Sequence, residues 1–516
     1  MAAVLLVACG KNEVEGGDET VDMTDITVTP ASVDVRVGDI LQLTVAPVPA
    51  DATGRPFEWV SSDPDVATVS ESGLVAALMQ GSATVTVRSG SLSRRIPVTV
   101  EGIARMKIGE ITCDVTTSET EELSSGVKWY KLSLPEFENG VTNATAVAGK
   151  GLIINVAVAD LSNQDNKLEV VSALPVNLTE SPVSVYNRKK TELEAAGREP
   201  AVVVNGDYYR LNWTATAADP YGYDYSRPNG IEVCNGMVGE SPYSETAGFY
   251  VRDNGSMGFA TFAVDGTVDA GHAAMSFSVV NGHAAQGEPV LFNNSAHGWA
   301  TDSAFAWSPF QSTYVSLSWP DGGWRVNERM EFTVTAIQYG VTTVIPSNVN
   351  QYYAAGGKSF NGEGAILVGN GASAIFLSSL SVGDKIGITT GVKINGMKTA
   401  DRRLNAIGCM GAAILLNGTP NEDAEKDAHP RTSAGCSKDG KKAILAVIDG
   451  RQAGYSTGVT LPQLGHIMKA LGAYTAVNLD GGGSSAMVVK GEVKNRPSDG
   501  SARSVANELM ITVKKN

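Results

Sequence analysis

Residues 474–489 read "YTAVNLDGGGSSAMVV": an apolar run, then an acid, three glycines and two hydroxyls, then apolar residues again. A two-residue hairpin turn needs only one or two glycines. Two strand-like runs are therefore joined by a loop whose backbone must be approached closely, which is where glycine is required inside a β pattern. Glycine is abundant throughout, with 56 in 516 residues, and Val/Thr-rich segments recur. Short strands and tight turns are expected to dominate.

A chain of 516 residues exceeds what one compact core encloses, so several domains are expected. Residues 26–101 form the first. Their short alternating segments, such as "LQLTV" and "ATVTV", are separated by turn clusters at the spacing of a β-sandwich. The stretch "WVSSDPDVATVSESGLVAALMQGSATVTV" resembles the bacterial Ig-like domain of group 2. It carries no catalytic cluster and reads as a spacer. Residues 1–25 read as a lipoprotein signal and tether. The run ending Leu6-Val7-Ala8-Cys9 resembles a bacterial lipobox without the usual basic leader, with Cys9 the lipidated residue. The expectation is a bacterial cell-envelope protein, periplasmic or at the surface, held to the membrane only by its lipid. No other segment approaches the roughly 18–20 apolar residues that span a bilayer.

From residue 104 to 516 the pattern changes. Strands are expected at 150–159, 201–205, 364–368, 443–448 and 474–479, with helices at 187–197 and 461–471. Thr460 and Gln463 form a capping box for the second helix. The fold class is multi-domain: an N-terminal all-β Ig-like sandwich, then an α+β domain, a mixed sheet with few helices. Residues 255–345 look like a β-rich elaboration holding Trp299, Trp307, Trp319 and Trp324, read as core rather than sugar platforms.

The formal charge of −15 argues against nucleic acid, which demands a basic surface. A local arginine cluster can still hold a small anion. Cys113, Cys234, Cys409 and Cys436 form no C-x-x-C pair, so zinc is not expected. Cys409 with Cys436 could oxidise in an exported chain, but isolated buried thiols are the preferred reading. No nucleotide loop or H-E-x-x-H motif is present, and the hydroxyls of the glycine-rich run lie in G-G-S-S-A rather than in a G-x-S-x-G elbow. No cofactor and no metal are expected, and the sequence does not set the oligomeric state.

Polar residues gather instead at the ends of apolar runs. "HPRTSAG" carries Arg431 and Thr432, beside His429, and "AVIDGRQAG" carries Asp449 and Arg451. "NLDGGGSS" carries Asn478, Asp480, Gly481, Gly482, Gly483, Ser484 and Ser485. "NRPSDG" adds Arg496, Ser498 and Asp499, and "ARSVANE" adds Arg503 and Asn507. Far upstream, "VVVNGDYYR" repeats the design with Asn205 and Asp207. Any one of these could be turn chemistry. Their repetition points to a rigid scaffold presenting reactive groups. Successive N–H groups and hydroxyls can hold an anion, and arginine pairs with phosphate bidentately. The combination points to a phosphorylated substrate attacked or protonated next to its phosphate.

These same stretches resemble the phosphodiester glycosidase family, in order over 104–516 and nearly continuously over 429–511. Ser433 and Ala486 depart from the residues common there, and 255–345 has no counterpart. The resemblance implies hydrolysis of a sugar-1-phosphodiester, such as an α-N-acetylglucosamine-1-phosphodiester, or of a phosphorylated glycan, to free sugar and phosphomonoester. On that reading Asp480 and Asp207 are the catalytic carboxylates, with Asp449 in reserve. Arg431, Thr432, Arg451 and the Gly481–Ser485 run would hold phosphate, with Arg496 and Ser498 nearby. Asn205 and Asn478 would orient carboxylates or bind sugar hydroxyls. A non-catalytic glycan-binding lipoprotein and a phosphodiesterase cutting at phosphorus stay open as alternatives.

Overall fold

The computed structural model describes residues 21–515 except 53–55, 174–178, 210–227, 243–245, 283–286, 294, 296–312 and 340–363. Cys9, Trp299 and Trp307 lie outside the described residues. The chain divides into two units, Met1–Gly102 and Ile103–Asn516.

In the first unit, Val33–Val37, Leu92–Ile103, Gly81–Ser89 and Glu58–Ser61 form one sheet, in that order. Ile40–Gln42, Leu74–Ala77 and Ala67–Val69 form another. Alternation does the sorting, because successive side chains on a strand point to opposite faces. Val85, Val87, Ile96 and Val98 are buried, while Arg94 and Arg95 keep to the outside. This is the expected Ig-like sandwich.

The second unit is built mainly from strands, and its ladders between named strands are antiparallel. An eight-stranded sheet has at its centre Leu152–Asp160, Lys442–Ile448, Arg431–Cys436 and Thr475–Asn478. A five-stranded sheet carries Lys167–Ser172, Asn507–Lys514, Arg198–Asn205 and Met487–Val489. Val202, Val204, Leu509 and Ile511 of the smaller sheet share one apolar core with Ala434, Leu445, Val447 and Val477 of the larger. A third, twelve-stranded sheet runs from Glu232–Cys234 to Asn405–Gly408 and has its own core. That sheet takes in the strands of 255–345 and extends beyond them on both sides. The buried Trp324 packs edge-on against Trp319, ring centroids 5.8 Å apart, within that core.

Helices are few. Leu461–Ala470 follows its capping box, in which Thr460 Oγ1 accepts from Gln463 N–H and Gln463 Oε1 from Thr460 N–H. The other expected helix spans Pro182–Glu194 and begins earlier than 187, because Ser181 caps it and Pro182 suits its first turn. A third helix, Ala372–Ser378, has no counterpart in the sequence reading. Its seven residues are too few to show a clear apolar stripe. None of the four cysteines among the described residues is in a disulfide, so Cys409 and Cys436 are not joined. No helix among the described residues is long and apolar enough to cross a membrane.

Candidate active site

Antiparallel pairing puts the end of one strand beside the start of the next. Arg431 pairs with Ile448, and Ser433 pairs with Asn478. The residues just past 448 and 478, and those just before 431, therefore share one rim of the larger sheet. In the smaller sheet Asn205 pairs with Glu508, which brings Asn507 to the corresponding rim. The run Asp480–Ala486 crosses from Thr475–Asn478 in one sheet to Met487–Val489 in the other. It is an inter-sheet crossing and not a hairpin, which accounts for strand-like residues on both sides of it.

Asn205 holds this crossing in place. Its amide Nδ2 donates to the Asp480 carbonyl at 2.7 Å, and its Oδ1 accepts from Thr432 Oγ1 at 2.7 Å and Ala486 N at 3.1 Å. The Asp480 N–H donates to the Gly206 carbonyl at 2.9 Å. Two segments more than 270 residues apart in sequence thus place Asp480 and Asp207 side by side.

Asp207 is fully buried. Its Oδ2 accepts from Gly230 N–H at 2.8 Å, while Oδ1 has no hydrogen-bond partner among the described residues. Burial drives its pKa up to about 7, against the pull of the Gly230 and Tyr208 N–H groups and with the help of the Asp480 and Glu232 charges. Asp480 is half-buried and accepts from Gly481 N–H at 2.8 Å. Burial raises it to about 6, while the Ser484 hydroxyl, the Gly481 N–H and Arg503 favour its charged form. Asn478 donates to the Tyr208 hydroxyl at 3.3 Å and leaves its own Oδ1 buried without a partner among the described residues.

The glycines admit protein groups to the backbone. Gly482 has a φ of +60°, and a Cβ there would stand 3.0 Å from the Arg451 guanidinium. A Cβ on Gly483 would collide with the Arg503–Asp499 ion pair. Arg503 Nη1 also donates to Ser484 Oγ at 3.4 Å. The N–H groups of Gly481, Gly482, Ser484 and Ser485 are already donated within the protein. The run is consequently not the row of free amides that the sequence reading expected. The short helical turn Gly482–Ser484 directs those groups inward and leaves arginine side chains as the outward cations. Replacing Gly483 with Ala is expected to displace the Arg503–Asp499 pair and lower kcat/KM by about tenfold or more. Steady-state kinetics on that variant check this, and an unchanged kcat/KM would refute it.

Arg451 donates to His429 Nδ1 at 3.2 Å. Burial, with Arg431 and Arg451 nearby, holds the His429 pKa below its usual value, so the ring is neutral and Nδ1 can accept. Arg431 is almost wholly buried. It donates from Nη2 to the Asp427 carbonyl at 2.8 Å and from Nε to the Val459 carbonyl at 3.3 Å. Its outward partner is Glu425, at 3.5 Å. Thr432 is buried and spends its hydroxyl on Asn205.

Asp449 sits behind the crossing. Its carboxylate accepts from Asn495 Nδ2 at 3.1 Å, Arg496 N–H at 3.0 Å and Tyr455 OH at 3.2 Å. Asn495 also donates to the Ser485 carbonyl at 3.0 Å, so Asp449 braces the loop from within. Burial still raises its pKa to about 6. Arg496 lays its guanidinium over the Tyr455 ring, 5.2 Å from the centroid, and Ser485 and Ser498 hold hydroxyls buried without partners among the described residues. Arg431, Thr432 and Asp449 are thus engaged by the protein itself. Arg451 and Arg503 are also engaged, by His429 and by Asp499 with Ser484, and lie with the Asp480–Asp207 pair on the same rim. Arg503 and Asp499 were visible in the motifs but given no role. Tyr208, directly after Asp207, and Glu232, in an unremarkable "IEVCNG", were missed.

Among the described residues one set could hold a metal ion. Glu425, Asp427 and His429 offer ligand atoms within 4.8 Å of one another. Glu425 and the His429 ring already face the Arg431 and Arg451 guanidiniums.

Residues 331–512 match the phosphodiester glycosidase family, and residues 22–100 match the bacterial Ig-like domain of group 2. Residues 331–512 are thus matched to a phosphodiester glycosidase domain, following an Ig-like domain at 22–100. Asn205 and Asp207 lie upstream of the matched stretch and join the site only through the fold. Over 84 residues, 16% of its length, the chain is 39% identical to the SPbeta prophage-derived uncharacterized protein YomE of Bacillus subtilis strain 168. It spans 13% of that protein's length. It is similar in structure to a Burkholderia pseudomallei K96243 protein described as exported, with 18% identity and a TM-score of 0.53. That match covers 79% of this chain and 98% of the other. A hypothetical protein from Synechocystis is 14% identical with a TM-score of 0.50, covering 95% of this chain and 80% of its own. These two likenesses bear on the fold alone.

Proposed function

We propose that the chain hydrolyses a sugar-1-phosphodiester, such as an α-N-acetylglucosamine-1-phosphodiester, at the sugar C–O bond. The observation that carries this reading is the Asp480–Asp207 pair, two neighbouring carboxyls that burial raises toward neutrality on a rim with Arg451 and Arg503. Water oxygen bonds to the anomeric carbon. The bond from that carbon to the phosphate oxygen breaks, its electron pair stays on the phosphate, and free sugar and phosphomonoester result. Asp480, favoured as the anion by Arg503, meets the sugar carbon or its attacking water. Asp207, which carries a proton into the neutral range, exchanges it with the departing oxygen or the incoming water. Arg451 and Arg503 balance the phosphate charge, a kind of contact typically worth about 3–4 kcal/mol in the transition state.

The test is a panel of sugar-1-phosphodiesters incubated with the full chain, with products separated by chromatography. Equal amounts of free sugar and phosphomonoester support the reading. Release of sugar phosphate instead of free sugar would replace it with a phosphodiesterase, and binding without turnover would replace it with a glycan-binding protein. We further propose that Cys9 carries a lipid that holds the enzyme at the cell envelope. Cys9→Ser is expected to move the protein from the detergent phase to the aqueous phase on phase partitioning. Equal partitioning of wild type and variant would contradict the tether.

A further inference from the structure

Glu232 lies outside every motif of the site, on the strand Glu232–Cys234 of the twelve-stranded sheet, and it is fully buried. Its Oε2 accepts from Asn507 Nδ2 at 2.9 Å. The other end of the same amide, Asn507 Oδ1, accepts from the Asp207 N–H at 2.9 Å. The Asn507 carbonyl accepts from Gly206 N–H at 2.9 Å, so Asn507 grips both residues of the Gly206-Asp207 turn. An asparagine amide has a donor end and an acceptor end, and only its partners decide which way it faces. The Asp207 N–H needs the oxygen. Glu232, an acceptor on the opposite side, fixes that orientation. Two glycines make room for the arrangement: a Cβ on Gly206 would overlap Asn507 Oδ1, and one on Gly239 would overlap Glu232 Oε1.

We propose that Glu232 is a positioning residue for hydrolysis, acting through Asn507 to hold the Asp207 backbone and carboxyl in place. The proposal rests on the reading of Asp207 as a reacting carboxyl. Glu232 also touches Asp207 electrostatically. The titratable groups acting on Asp207 are Asp480, across the crossing, and Glu232, and both raise it. Glu232 in turn accepts from Ser172 and Asn507 and stands near Glu508 and Cys234. Burial raises its own pKa to about 7. Removing the carboxyl without removing the acceptor therefore lowers the Asp207 pKa and leaves the amide oriented. Removing the acceptor frees the amide to turn over.

The experiment compares Glu232→Leu with Glu232→Gln in the full chain, by kcat and KM on the cleaved phosphodiester. The Asp207 titration is followed alongside, by carboxyl carbon-13 NMR of Asp-labelled protein, its signal assigned with Asp207→Asn. Glu232→Leu is expected to lower kcat by about ten- to a hundredfold while KM stays within about twofold. Glu232→Gln should recover most of that loss and move the Asp207 titration and the acid-to-alkaline turning point of the pH profile to lower pH. An unaltered kcat in Glu232→Leu, equal losses in both variants, or an unmoved Asp207 titration in Glu232→Gln would overturn the proposal. If the wild type cleaves no sugar-1-phosphodiester, the functional reading falls, while the titration still decides whether Glu232 acts on Asp207.

Discussion

Asp480→Asn is expected to lower turnover on the order of 10³-fold while the protein stays folded. The asparagine Oδ1 accepts the Gly481 N–H as the aspartate does, and the backbone bonds to Asn205 and Gly206 do not involve the side chain. What disappears is the negative charge, which the sugar carbon needs as positive charge develops on it. The wild-type pH profile follows from the same pair. Asp480 must be ionised, and its pKa stands at about 6, so kcat/KM falls as pH drops through that value. Asp207 must be protonated, and its pKa stands at about 7, so kcat/KM falls again as pH rises past it. The result is a bell between the two, with apparent values that belong to the coupled pair. Activity of Asp480→Asn within tenfold of wild type, or a flat profile from acid to alkaline pH, would contradict this assignment.

Asn205→Leu is expected to produce the largest loss of stability of any single change at the rim. The leucine has similar size but strands three buried groups at once: the Thr432 hydroxyl, the Ala486 N–H and the Asp480 carbonyl. Each such group left without a partner costs about 1–3 kcal/mol, so about 3–9 kcal/mol is expected in total. That is a large part of the net stability of a typical domain. Denaturant unfolding of the full chain, following the transition of the second unit, checks it. A loss under about 1 kcal/mol would mean that Asn205 does not join the two sheets.

Much of this fold was legible because its signals are local. The strands Lys442–Ile448 and Arg198–Asn205 declare themselves as short apolar runs, and Thr460 and Gln463 mark a helix start within four residues. The expected strand at 150–159 emerges as Leu152–Asp160, and that at 364–368 as Ala365–Gly369. Asp480 stood out in the sequence as an acid among glycines at a strand end. The division of labour among its neighbours did not. Asp449 and Asp480 both follow apolar strands and precede glycine. Asp449 meets Asn495, the Arg496 N–H and Tyr455, whereas Asp480 meets Gly481, Ser484 and Arg503. Arg431 and Arg451 likewise occupy similar motifs, yet one is buried among carbonyls and the other lies against Gly482. Such differences depend on contacts between distant segments, as with Asn205 and Asp480, and spacing along the chain carries no trace of them. The early start of Pro182–Glu194 was nearer to hand, in Ser181-Pro182, a start signal that lies ahead of the helix-forming run.

The central claim is that water attacks the sugar carbon and not phosphorus. Hydrolysis of an α-N-acetylglucosamine-1-phosphodiester by the wild-type chain in oxygen-18 water tests it most directly, because the phosphomonoester keeps whatever oxygen it receives. Phosphorus-31 NMR of that product should show no heavy-oxygen shift, with the label entering the sugar hydroxyl. Heavy oxygen on the phosphate would mean attack at phosphorus, and Asp480 and Asp207 would lose the roles given to them.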